Sequence, residues 1–179
     1  MHRIVIITGT PGTGKTTLAR SLEKAIKGSV VISANDVIKA NKLYTGYDEY
    51  GTMIANMGAL KKALDKSTKQ AKGTVIIEGH LLCDISMHGA IAMVPRCHLK
   101  DLEKRLKRRG YKGSKLSDNV ISEALDYCGI NASENYKHVF EIMGNRQQML
   151  KDALSIINGK VKKPMQIELS EELLRIGIK

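Results

Sequence analysis

Gly9-Thr10-Pro11-Gly12-Thr13-Gly14-Lys15-Thr16 fits the pattern G-x-x-x-x-G-K-[ST] at every position, and each position has a physical reason. Small residues let backbone N–H groups close around phosphate oxygens, and a helix that opens inside the run adds the partial positive charge of its N-terminus. Gly12, Thr13 and Gly14 form the cradle, Lys15 brings a full charge to the β and γ phosphates of ATP, Thr16 offers a hydroxyl to Mg²⁺, and Thr17 is placed as a further donor. A second candidate is Glu78, which ends the apolar run TVIIE, with His80 two residues on. A carboxylate at the carboxyl end of a parallel strand lies where such sheets bind ligands, and it can order a metal shell or a nucleophile. A third is the basic run of Arg105, Lys107, Arg108, Arg109, Lys112 and Lys115. A helix ending there, followed by a glycine-bounded polar segment, can swing over ATP and neutralise charge that develops during phosphoryl transfer. Each feature has a bland counterpart: a glycine-rich turn, a strand-end acid, a solvated helix face. The strand pattern before the glycine-rich run and the helix pattern after it favour the phosphate cradle, and the cradle favours the functional reading of the other two.

The elements that must hold these groups follow from periodicity. Short apolar runs at 4–8, 30–33, 74–78, 90–94 and 139–143 read as buried strands, the fourth stopped by Pro95. Helical spacing occupies 16–26, where Leu18, Leu22 and Ile26 recur every fourth residue, and also 36–43, 56–72, 99–109, 120–127 and 146–157. Residues 44–51 read as loop and 110–117 as a polar, turn-rich segment. Strands alternating with helices predict an α/β fold, a parallel five-stranded sheet flanked by helices, and with the glycine-rich loop a P-loop NTPase. Beyond Lys160, residues 165–178 leave room for one strand and a short helix starting at Ser170.

Composition narrows the function classes. The 179 residues suit one domain, and 42% hydrophobic with 26% charged residues is ordinary for a globular protein. No apolar run approaches the roughly 18 residues of a membrane span, and the N-terminal run lacks a cleavage site, so no membrane association and a cytoplasmic location are expected. Cys83, Cys97 and Cys128 are too scattered for a disulfide framework and read as packing residues. Cys83, His88, Cys97 and His98 lack the paired spacing of a zinc site. His2, His88, His98 and His138 have no chemical context and read as surface or satisfied histidines. The net charge of +11 attracts polyanions. One Phe and no Trp leave little stacking surface for a stand-alone RNA-binding module.

Taken together, GTPGTGKTT at 9–17, GYDE at 46–49, IIEGHL at 76–81, RLKRRGY at 105–111, KLSDN at 115–119 and NASENYK at 131–137 resemble the small archaeal and nuclear adenylate kinase-like proteins of the adenylate kinase isoenzyme six type. The likeness covers about residues 4–158. It implies a nucleoside-monophosphate kinase-like domain over 1–158, with an acceptor region near 33–53 and a short lid near 108–118, and a C-terminal extension over 159–179. It also implies MgATP and AMP as substrates, with Glu78 and His80 in the acid-x-His positions, Arg109 on ATP, and residues 144–146, with Arg146, bordering the adenine. Asp36, Lys39 and Tyr47 fall in the acceptor region. The family is further similar to partner-binding ATPases that act with a small-subunit ribosomal protein during maturation of small-subunit ribosomal RNA.

Two departures bear on the acceptor. Lys39 stands where the family usually has Arg, keeping the charge but losing the bidentate fork. Residues 56–60 read NMGAL in place of an acidic stretch. Two readings follow: an adenylate kinase-type phosphotransferase with ATPase activity, and a nucleotide-switched ribosome-assembly ATPase whose kinase activity is incidental.

Overall fold

A computed structural model describes residues 3–161 and 166–176. Five strands form one parallel sheet: β1 (Arg3–Ile7), β2 (Val30–Ser33), β5 (Thr74–Glu78), β6 (Ile91–Arg96) and β7 (His138–Met143), in the order β2-β5-β1-β6-β7. Side chains alternate across the sheet, so β1 and β5 feed two cores at once. Val5, Ile7 and Ile76 pack with α1 (Lys15–Ala25) and α7 (Arg146–Ile157) through Leu18, Leu22, Met149 and Ile156. Ile6, Val75 and Ile77 face the other way, toward α2 (Ala34–Ala40), α3 (Met57–Gln70) and α6 (Tyr127–Asn135). Helices on both faces explain why these strands are continuous apolar runs.

Four local expectations are corrected. Residues 44–51 are not all loop: β3 (Tyr44–Tyr47) and β4 (Met53–Ala55) form an antiparallel hairpin. Its turn is closed by Asp48, whose Oδ1 accepts from the backbone N–H of Tyr50 at 2.9 Å and of Thr52 at 2.7 Å. Strands of three and four residues are too short for a readable period, and their order comes from Tyr44, Met53 and Ala55 packing on the core. Pro95 does not stop β6, which runs on to Arg96. The register places the missing Pro95 N–H on the β1 side, where pairing has already ended at Met93, so no ladder bond is lost. The segment expected to be turn-rich is helical from Gly113, in α5 (Gly113–Ala124), and α6 follows where no helix was expected. Asp126, at a left-handed φ of 54°, separates the two and caps α6 at Gly129. Residues 166–169 carry no strand. Met165 and Ile178, the ends expected for the tail, and His2 lie outside the described residues.

The tail docks on the domain. Ile167, Leu169 and Leu173 join Leu99, Leu102 and Leu106 of α4 (Leu99–Arg108) and Val120 of α5 in a third core. From α8 (Ser170–Ile176), Glu172 accepts from the Leu99 N–H at 2.9 Å, capping α4, and meets His98 Nδ1 at 2.7 Å. Beneath this core Arg96 is buried among Glu123, Asp126 and Glu141 at 3.1, 2.6 and 2.7 Å. Glu141 also accepts from the Ile167 N–H at 2.8 Å. Its carboxyl is pushed up to about 7 by burial, with Asp126 adding to the rise and the Ile167 N–H and Arg96 opposing it. His88, His98 and His138 are exposed, and the three cysteines are buried and free. Among the described residues no helix is long and apolar enough to cross a membrane.

Candidate active site

The glycine-rich loop leaves β1 and enters α1 over residues that only a minimal side chain permits. Gly9, Gly12 and Gly14 have φ of 140°, 96° and 109°. At Gly12 a Cβ would also meet Leu102 Cδ1 at 2.8 Å, so the loop lies directly against α4. Thr13 Oγ1 donates to Thr10 O at 3.0 Å, tightening the curve. The Thr10 hydroxyl is buried with no partner among the described residues, the kind of orphan that a ligand oxygen or water satisfies. Lys15 Nζ donates to Gly9 O at 2.7 Å and Thr10 O at 2.9 Å, which hold the ammonium over the loop. Burial pushes the Lys15 pKa down to about 8, so the group is still mainly charged at pH 7.

β5 brings the second group to the same place. Pairing of Ile7 with Glu78 sets the carboxylate beside the start of the loop, and Thr16 Oγ1 donates to Glu78 Oε2 at 3.1 Å. His80 follows at the start of a 3₁₀ turn (His80–Asp84), its carbonyl accepting from Thr8 Oγ1 and Cys83 Sγ, both at 3.1 Å. Burial and then the Lys15 charge push the His80 imidazole down to about 4, so it is neutral at pH 7.

These groups open into one cleft of about 790 Å³. Gly12, Gly14, Lys15, Thr16, Thr17, Glu78, His80 and Arg109 line it, together with Lys39 of α2 and Tyr47 of the hairpin. Thr13 is buried behind the loop. Two residues singled out from sequence stand elsewhere. Asp36 is exposed in the first turn of α2, its neighbour Asn35 lining the cleft instead, and Arg146 reaches from α7 to Ser21 Oγ at 3.1 Å outside the lining. Arg105, from the basic run singled out in the sequence, stands beside the loop and outside the lining, its Nη1 donating to Gly12 O at 3.2 Å. Asp48, Tyr50, Thr52, Tyr111 and Lys115 also line the cleft. Lys115 belonged to the basic run and Asp48 and Tyr111 to the quoted motifs without an individual site role, whereas Tyr50 and Thr52 went unmarked because the hairpin that presents them was not foreseen.

An AAA-domain family profile matches residues 5–126. A protein named "Putative adenylate kinase" from Methanosarcina barkeri is 38% identical over 141 residues, 78% of this chain and 75% of its own length. One of the same name from Methanothermobacter thermautotrophicus is 33% identical over 177 residues, 96% of this chain and 99% of that protein. The chain belongs to this adenylate kinase-like family of P-loop proteins. Among solved structures, shikimate kinase from Acinetobacter baumannii in complex with shikimate superposes with a TM-score of 0.63 at 13% identity, over 90% of this chain and 96% of that one. Shikimate kinase from Bacteroides thetaiotaomicron gives 0.61 at 18% identity, over 88% and 98%. These two share the fold with the adenylate kinase-like chain at a sequence identity that carries nothing further.

The adenylate kinase-like site suits Mg²⁺ that comes with a nucleotide. Thr16 and Glu78 converge as two oxygen donors at the mouth of the loop, the hard ligands that this ion prefers. Among the described residues no group of three or more His, Cys, Asp or Glu side chains could hold a metal alone, so phosphate oxygens and water would complete the shell.

Proposed function

We propose that the protein transfers the γ-phosphoryl group of MgATP to AMP, giving two ADP. An oxygen of the acceptor's α-phosphate attacks the γ phosphorus as the bond to the β,γ-bridging oxygen breaks, with charge spread over the equatorial oxygens. Lys15 meets that charge from the loop side, and Arg109, with Arg105 behind it, from the α4 side. Glu78 and Thr16 would hold the shell of Mg²⁺, which when bound would neutralise phosphate charge. His80, neutral and held by its backbone, contributes a hydrogen bond to the attacking group. Lys39 and Tyr47 face the acceptor. The work of these residues is positioning and charge stabilisation.

The observation that carries this reading is the shared cleft: the Thr16–Glu78 pair at the phosphate loop shares one cleft with residues of α2 and the β3–β4 hairpin, which supports the reading of these as an acceptor wall. A cleft for hydrolysis alone needs no second wall. The test is ADP formation from ATP with AMP, CMP, GMP or no acceptor. A rate at least tenfold above hydrolysis with AMP supports the reading, and rates that no acceptor raises would overturn it.

A second reading, an ATPase working with a small-subunit ribosomal protein and pre-ribosomal RNA, draws on the charge of +11 and on Lys39 in place of Arg. It gains if hydrolysis proceeds without an acceptor and quickens with RNA or that protein.

A further inference from the structure

The cleft is roofed by two pieces of chain with no ladder between them. One is the β3–β4 hairpin, fixed to the core at its base by Tyr44, Met53 and Ala55. The other is the segment from Arg109 into α5, fixed by Tyr111, Leu116 and Val120 in the third core. Where the two rims meet stands Lys115. Its Nζ donates to Thr52 Oγ1 at 2.9 Å, and it lies 5.6 Å from the ring centroid of Tyr50 and 5.3 Å from that of Tyr111. Thr52 and Tyr50 belong to the hairpin turn, whereas Tyr111 and Lys115 belong to the other rim. Among the described residues, this is the one side-chain hydrogen bond between hairpin 44–55 and segment 109–119.

Both ends of the contact are prepared. On the hairpin, Asp48 ties the turn through the N–H groups of Tyr50 and Thr52, which sets the Thr52 hydroxyl and adds a carboxylate facing the ammonium. The Thr52 N–H leads in holding the Asp48 pKa below its usual range, and the Lys115 charge adds to it. On the other rim, Asn119 Nδ2 donates to Lys115 O at 2.6 Å, and the Tyr111 N–H donates to Leu106 O at 3.1 Å. One ammonium therefore joins two rims that are each anchored separately.

We infer that Lys115 is a positioning residue, a latch that fastens the acceptor hairpin to the lid-side helix and closes the cleft over its nucleotides. An exposed cation over an aromatic face shifts an equilibrium by about two- to fivefold, and one hydrogen bond by a similar factor. Tyr111 shares a rim with Lys115 and orients it, so the contacts that cross the gap are the Tyr50 face and the Thr52 hydroxyl, which together favour the closed arrangement by roughly four- to twenty-fivefold, enough to hold it and weak enough to release product. The catalytic consequence rests on the phosphotransferase reading, but the closure does not.

The closure is read first. Spin labels at Glu49→Cys and Lys112→Cys, both exposed sites, report the gap between the rims, the three native cysteines being buried. In the otherwise unaltered chain the distance distribution should be narrow and short. Adding Lys115→Met, which keeps the stem but removes the charge, should lengthen or broaden it, and Lys115→Arg should restore it. A distribution unchanged by Lys115→Met overturns the latch whatever the protein's substrate is. Kinetics then separates a latch from a cation that touches phosphate. For a latch, Lys115→Met raises KM for the acceptor about four- to twenty-fivefold with a smaller change in kcat, and adding Thr52→Val to it costs nothing further. Fully additive losses, or a loss confined to kcat, would overturn it.

Discussion

Gly12→Ala tests how the phosphate loop is seated. Gly12 has a φ of 96°, and its Cβ would lie 2.8 Å from Leu102 Cδ1 and 3.3 Å from Leu106 Cδ2, both side chains fully buried in the third core. The backbone conformation alone costs about 1–2 kcal/mol for an L side chain. Forcing a methyl into a packed core adds about 1–3 kcal/mol, for a total of about 2–5 kcal/mol out of a typical 5–15. Gly28→Ala separates the two contributions, since its φ is 77° and nothing lies within 4 Å of the added carbon, so it should lose only about 1–2 kcal/mol. Urea unfolding of both variants gives the comparison, as a shift in midpoint at unchanged slope. Because α4 carries Arg105 and is capped by Arg109, any yielding of Leu102 also moves those cations, and Gly12→Ala should lower phosphoryl transfer while Gly28→Ala should not. Gly12→Ala proving no costlier than Gly28→Ala would refute the close packing of loop on α4.

Lys15→Ala should leave the circular dichroism spectrum intact and reduce ATP turnover by about 10²-fold or more; turnover within threefold of wild type would remove Lys15 from the mechanism. Glu78→Gln with His80→Ala should cut turnover while ATP binding by calorimetry survives, because both groups stand at the end of β5 and outside the phosphate cradle. Lys39→Arg should raise AMP phosphorylation by about tenfold at most, worth roughly 1.4 kcal/mol of transition-state binding, and steady-state rates with AMP, CMP and GMP would reveal whether the gain is confined to AMP. Glu141, whose pKa is raised to about 7 from 4.5, keeps its proton in the folded state where the unfolded chain has lost it. Stability should therefore fall as pH rises from about 4.5 through about 7; thermal melts at pH 5 and 7.5 should show this slope in wild type and a smaller one in Glu141→Gln, and equal slopes would refute the assignment.

What the sequence determined was whatever depends on contiguous residues. The glycine-rich loop, the strand before it and the helix after it form one local unit whose backbone geometry dictates its residue types, so Lys15, Thr16 and Thr17 were legible from spacing alone. The strand runs were legible because a parallel sheet covered on both faces demands unbroken apolar segments. Which groups meet was decided by tertiary structure. Sheet order β2-β5-β1-β6-β7 brings Glu78 beside Thr16 across 62 positions, and packing of α4 on the loop brings Arg105 to Gly12 across 93. The hairpin could not be read because its strands are ordered by the core beneath them and by Asp48, and Lys115 acquired a partner only once that hairpin stood opposite α5. Pro95 shows the same limit in reverse: a residue that ends a strand by local rules is harmless where the neighbouring strand has already turned away. Local chemistry is written in adjacent residues, whereas closure of a cleft depends on contacts between distant segments, whose energies no short window of sequence contains.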